Sequence, residues 1–143
     1  ISGNQGGNCV LAIKSAEGHE NYLSSTRVPG EKNSPKVYQV LELPVGTIFK
    51  IDAELMNVML NEPVNDSVHA GKNFVDVYFK DADGKAIESF RKQITPEAAN
   101  GEWFAWSNTY TVPEGTVTTQ IEFGIALGTG EVCFDNIVVS VVD

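Results

Sequence analysis

The stretch "IFKIDAELM", Ile48 to Met56, decides the fold class. Phe49, Ile51, Ala53 and Leu55 occupy alternate positions, with Lys50, Asp52, Glu54 and Met56 between them. Side chains of a strand point alternately to opposite faces, so this spacing predicts a strand with one buried and one wetter face.

The pattern recurs outward. "CVLAIKS" (Cys9–Ser15) puts Cys9, Leu11 and Ile13 on one face. "VYQVLEL" (Val37–Leu43) puts Val37, Leu41 and Leu43 on one face and Tyr38, Val40 and Glu42 on the other. In "NFVDVYFKDADGKAIESF", Val75, Val77 and Phe79 form an inner face and Phe74, Asp76 and Tyr78 an outer one. "DADG" signals a hairpin turn. The second arm, Ala86 to Ile94, settles on neither face. "TTQIEFGIALG" buries Ile121, Phe123 and Ile125 and shows Gln120, Glu122 and Gly124. "EVCFDNIVVSVV" reads as a closing strand, and the polar stretches Glu17–Pro35 and Asn61–Lys72 read as loops. About eight strands separated by turn signals, with no amphipathic helix, predict an all-β sandwich or barrel.

Composition narrows the partners. The chain has 143 residues, 42% of them hydrophobic, enough for one domain with a sizeable core. No apolar run is long enough to span a membrane as a helix. A net charge of −9 repels phosphate backbones and anionic lipids, which argues against nucleic acid and membrane surfaces and leaves a neutral partner. Cys9 and Cys133 lie near opposite ends without metal-binding spacing. A disulfide between terminal strands and two buried free thiols both fit, with the thiols slightly ahead. The abrupt opening on Ile1 reads as a mature or excised module.

No nucleophile elbow, phosphate loop or zinc-protease motif is present. His19 and His69 read as surface histidines in loops. The outer faces are more telling. If their strands are neighbours, Lys50, Asp52 and Glu54, then Asp76 and Tyr78, then Gln120 and Glu122, place acids and amides beside an aromatic ring. Rings stack on the apolar face of a sugar while acids and amides take its hydroxyls. A plain solvated sheet face gives the same pattern. "GEWFAWSNTYTVPEG" (101–115) adds both tryptophans. Trp106 shares its face with Phe104, Tyr110 and Val112 and reads as core. Trp103 shares its face with Ala105, Ser107 and Thr109 and reads as the more exposed ring. A β-bulge between them would reverse this.

Several of these motifs together resemble carbohydrate-binding modules of families four, nine, sixteen and twenty-two. The match rests on Trp103 and Trp106, Tyr110 to Pro113, Ile121 to Phe123, the run Phe134-Asp135-Asn136-Ile137, and "YQVLELPVGTIFKIDAELMN" upstream. It covers roughly residues 8 to 142. The opening Asn-Gly-Phe-Glu-like strand of those families has no counterpart in "ISGNQGGNCVLAIKS". The resemblance implies a jelly-roll β-sandwich of two antiparallel sheets. It also implies non-catalytic binding of one β-1,4-linked glycan chain in an open cleft, xylan first, with mixed-linkage glucan and cello- or manno-oligosaccharides next. The ligand-binding residues would be Trp103, Tyr78, Glu122, Glu54, Asp76, Gln120 and Trp106. No cofactor is required; a structural calcium, ligated by Asp135, is the ion it raises. The chain would be a monomeric module of a secreted or cell-surface polysaccharide-degrading enzyme, with its catalytic domain attached. The rivals are a small β-sandwich glycosidase and a structural or adhesive sandwich without a sugar site.

Overall fold

The computed structural model describes residues 2–4, 10–27, 35–58, 72–94, 101–126 and 130–142. Ten strands run through them: β1 (Ser2–Asn4), β2 (Val10–Ala16), β3 (His19–Arg27), β4 (Lys36–Leu41), β5 (Ile48–Val58), β6 (Lys72–Lys80), β7 (Ala86–Ile94), β8 (Trp103–Thr111), β9 (Thr118–Ala126) and β10 (Gly130–Val141). They form two five-stranded sheets, in the orders β1-β4-β9-β6-β7 and β2-β3-β10-β5-β8. Every pairing is antiparallel. The fold is the jelly-roll sandwich that the alternation and the resemblance imply.

The core lies where the two inner faces meet. β5 supplies Phe49, Ile51, Ala53 and Leu55, as its alternation dictates. Val75, Val77 and Phe79 of β6 and Ile121, Phe123 and Ile125 of β9 pack from the opposite sheet. Phe49 stacks on Tyr110 at 5.5 Å and meets Phe79 edge-on at 6.3 Å. Burying such side chains is the main drive to fold, about 1.5–3 kcal/mol for each large one. The "DADG" hairpin forms as expected. The Asp81 side chain accepts the backbone N–H groups of Asp83 and Lys85, and Gly84 takes a φ of 77°.

One local expectation changes. Glu17–Pro35 is not a loop throughout, because β3 crosses it. Its buried positions include Ser24, Ser25 and Arg27, so no apolar alternation announces it. Of the loop expected at Asn61–Lys72, residues 61–71 lie outside the described residues, His69 with them, and Lys72 opens β6. β7 explains its own lack of a face: it is an edge strand, exposed from Ala86 through Lys92.

Cys133 is a buried free thiol on β10; Cys9 lies outside the described residues. Burial first, then the negative charge of Glu131, pushes the Cys133 thiol up to about 12. A thiol held neutral reacts slowly, because the thiolate is the nucleophile. In a Cys9→Ser variant, Cys133 is therefore expected to resist an aromatic disulfide reagent at about pH 8 and to react fully once urea unfolds the chain. Rapid reaction of the folded protein would refute the burial. The linkage has a definite sign. The unfolded thiol ionises first, so this contribution is whole below about pH 8.5 and is lost as pH climbs from there toward about 12.

Candidate functional site

The outer face of the β9 sheet gathers the polar residues. Register sets Tyr38, Glu122, Asp76 and Arg91 side by side across β4, β9, β6 and β7. The next row holds Val40, Gln120, Tyr78 and Ser89. Strand pairing thus brings together residues more than forty positions apart in sequence.

Two linked networks run over this face. Lys80 donates to Gln120 Oε1 at 2.6 Å, and Gln120 Nε2 donates to Glu122 Oε1 at 2.5 Å. Lys36 Nζ reaches both Glu122 oxygens at 2.8 and 2.9 Å. In the second network Asp76, only 1% exposed, accepts a guanidinium fork from Arg91 and the Tyr78 hydroxyl at 3.0 Å. The Arg91 guanidinium is pushed further above its usual range, chiefly by its bond to Asp76. Burial, then the Asp76 charge, raises the Tyr78 phenol, which stays a hydrogen-bond donor at neutral pH. Carboxylates so clamped hold fixed directions.

Gly124 shapes the same face. A Cβ there would meet the Pro35 carbonyl oxygen at 2.6 Å, Lys36 Cβ at 2.8 Å and the Phe74 ring at 2.9 Å. The missing side chain lets Phe74 lie against β9, with the Arg91 guanidinium 5.0 Å from its ring centre.

Of the residues singled out from sequence, Tyr78, Asp76, Glu122 and Gln120 share this face. Glu54 and Trp103 do not. β5 and β8 belong to the other sheet, so the two residues lie on the opposite outer face of the sandwich. Alternation tells inside from outside but not one sheet from the other. Trp103 is also no open platform. The His19 imidazole stacks on it at 3.9 Å and 13°, and Tyr22 meets it edge-on at 5.2 Å. Trp106 points inward and packs against the core, so it leaves the candidate binding set. Lys36, Lys80 and Arg91 escaped the sequence reading. Their signal, opposite charges across non-sequential strands, needs the register to be visible.

On the opposite face, Asp135, Glu54 and His19 place their donor atoms within 4.8 Å of one another. His19 Nδ1 lies 2.8 Å from Asp135 Oδ2 and 3.8 Å from Glu54 Oε2. His19 is on β3 and largely buried, not on a surface loop. This donor set does not fit the calcium that the resemblance implies at Asp135. Calcium takes about six to eight oxygen ligands, and here one of three donors is an imidazole nitrogen.

A third feature is apolar. Val37, Tyr38, Gln39, Ile121, Phe123, Ile137 and Val139 line a cavity of about 120 Å³ between the sheets, with no carboxylate in its wall.

No family model matches the chain, and no curated protein matches it by sequence. Solved structures do. The chain is similar to a family 4 carbohydrate-binding module at 15% identity and a TM-score of 0.63, over 94% of this chain and 78% of that one. It is similar to the family 22 xylan-binding domain of Paenibacillus barcinonensis Xyn10C at 13% identity and a TM-score of 0.60, over 99% and 85%. It is also similar to the enzymatically active domain of bacteriophage CBA120 tailspike protein 4, at 14% identity and a TM-score of 0.70. There it spans 99% of itself but only 19% of the tailspike chain. The chain has the carbohydrate-binding module fold.

Proposed function

We propose that this chain is a non-catalytic module that binds a β-1,4-linked glycan, xylan first, on the outer face of the β9 sheet. The observation that carries this reading is the fixed polar row Glu122–Asp76–Arg91 beside Tyr78 and Gln120, on a fold shared with a xylan-binding domain. The Tyr78 ring offers a face for a sugar, and the amide and cations, held in place by the two buried carboxylates, offer directed partners for hydroxyls. Both carboxylates of the row are neutralised by cations, which leaves neither as a free acid or nucleophile and argues against hydrolysis here. Each polar contact exchanges water for a hydroxyl and gains only about 1 kcal/mol. Affinity is then modest, and tethering to a secreted polysaccharide-degrading enzyme makes it useful through effective concentration.

Calorimetric titration with xylohexaose tests the reading. Tyr78→Ala is expected to cost about 1–3 kcal/mol of binding, by analogy with stacking on other ring-faced ligands. Glu122→Gln is expected to weaken binding at least tenfold, about 1.4 kcal/mol. Glu114→Ala, on an exposed turn, is expected to be silent. Wild-type affinity in the first two variants would remove this face from the site. Binding to none of xylo-, cello- or manno-oligosaccharides would overturn the glycan reading, and release of reducing sugar from xylan would overturn its non-catalytic part.

A further inference from the structure

We propose that His19, Glu54 and Asp135 form a binding site for a divalent transition metal, with zinc as the reference ion. One imidazole nitrogen and two carboxylates, with a side open to water, is a donor set that zinc accepts. The spacing suits it. Zinc bonds to N and O are about 2.0–2.2 Å long, so tetrahedral donors lie about 3.3 Å apart. The His19 nitrogen lies 2.8 Å from one acid and 3.8 Å from the other, on either side of that value. All three donor atoms lie within 4.8 Å of one another, so side-chain shifts of about an ångström would bring them onto the ion.

Each donor is held by a different strand and by a neighbour. Asp135 of β10 and Glu54 of β5 are direct cross-strand partners. The ladder then shifts between Asp135 and Val138, and Asn136 in that shift takes a φ of 48°. Its backbone N–H donates to Asp135 Oδ1 at 2.8 Å, which leaves Oδ2 toward His19, while its side-chain amide donates to Glu54. Trp103 lies flat against the imidazole and fixes its plane. Neighbours that orient ligands in this way are the usual support of a metal centre. Exposure is graded. The side chains of His19 and Asp135 are 13% and 16% exposed and that of Glu54 is 39% exposed, so one side of the cluster faces solvent. The two carboxylates concentrate negative charge at the trio, which a divalent ion offsets.

The site is independent of the glycan face, which lies on the other sheet. The test uses the full chain after chelator treatment, titrated with zinc chloride and, separately, calcium chloride. Calorimetry is expected to show one zinc ion bound per chain, a raised melting temperature and no comparable response to calcium. His19→Ala and Glu54→Gln are each expected to weaken zinc binding at least about tenfold. A Cys9→Ser/His69→Ala variant is expected to keep it. Cobalt(II) gives a second readout: visible absorption of a tetrahedral site in the native chain, lost in His19→Ala. Far-ultraviolet circular dichroism confirms that each variant folds. The proposal is overturned by absence of zinc binding, by binding unchanged in folded His19→Ala, by binding lost in Cys9→Ser/His69→Ala, or by a site that takes calcium in preference to zinc.

Discussion

Arg91→Met is expected to destabilise the folded protein by about 3 kcal/mol, because it leaves a buried carboxylate without its cation. Among the described residues, Asp76 keeps only the Tyr78 hydroxyl as a side-chain donor once the fork is gone. Breaking one side of a buried ion pair costs about 3–5 kcal/mol. The lower end applies here, because the Arg91 side chain is itself 50% exposed and the site opens to water on that flank. Urea denaturation measures it as a lower midpoint at constant slope. The double replacement Asp76→Leu/Arg91→Met is expected to regain at least about half of the loss, since apolar replacements of a buried pair are often neutral. A change below about 0.5 kcal/mol in Arg91→Met would mean that the pair is an ordinary surface contact.

Phe49→Ala is expected to cost about 3–5 kcal/mol. Phe49 has no exposed surface and packs between Tyr110 and Phe79. β5 is paired on both sides, to β10 and β8, so its backbone cannot move inward to fill the void. The loss therefore includes the cavity as well as the transferred surface. Urea denaturation is again the measurement, and a cost under about 1.5 kcal/mol would mean that the site collapses. Xylohexaose affinity of the folded fraction is expected to stay at wild type, because the proposed glycan face points away from this part of the core.

The inward and outward faces of β5, β6 and β9 were legible because Phe49, Val77 and Phe123 each fall two residues from another apolar side chain. β3 was not, since its buried positions hold Ser24, Ser25 and Arg27 instead of an apolar alternation, with Ser24 donating to Glu131 and Ser25 to the Pro35 carbonyl. The candidate glycan face was half legible. Asp76, Tyr78, Gln120 and Glu122 stood out by alternation, but nothing local could assign β6 and β9 to one sheet and β5 and β8 to the other. Trp103 and Glu54 were therefore joined to the wrong neighbours. Their true partner, His19, looked like a loop residue because "GHEN" carries turn chemistry and no apolar neighbour.

The place of β10 has a consequence for how the chain comes together. It is the last strand in sequence and the middle one of its sheet, flanked by β3 and β5. The bond from Ser24 to Glu131 closes a separation of 107 residues, and that from Lys36 to Glu122 one of 86. Loop closure on this scale must precede the contacts that reward it, which places the chain among slow folders, on a millisecond-to-second scale. During synthesis β2–β3 and β5–β8 emerge as separate ribbons, and only the final residues join them. Neither the candidate glycan face, which needs Glu122, nor the candidate metal cluster, which needs Asp135, can assemble until β9 and β10 have joined their sheets.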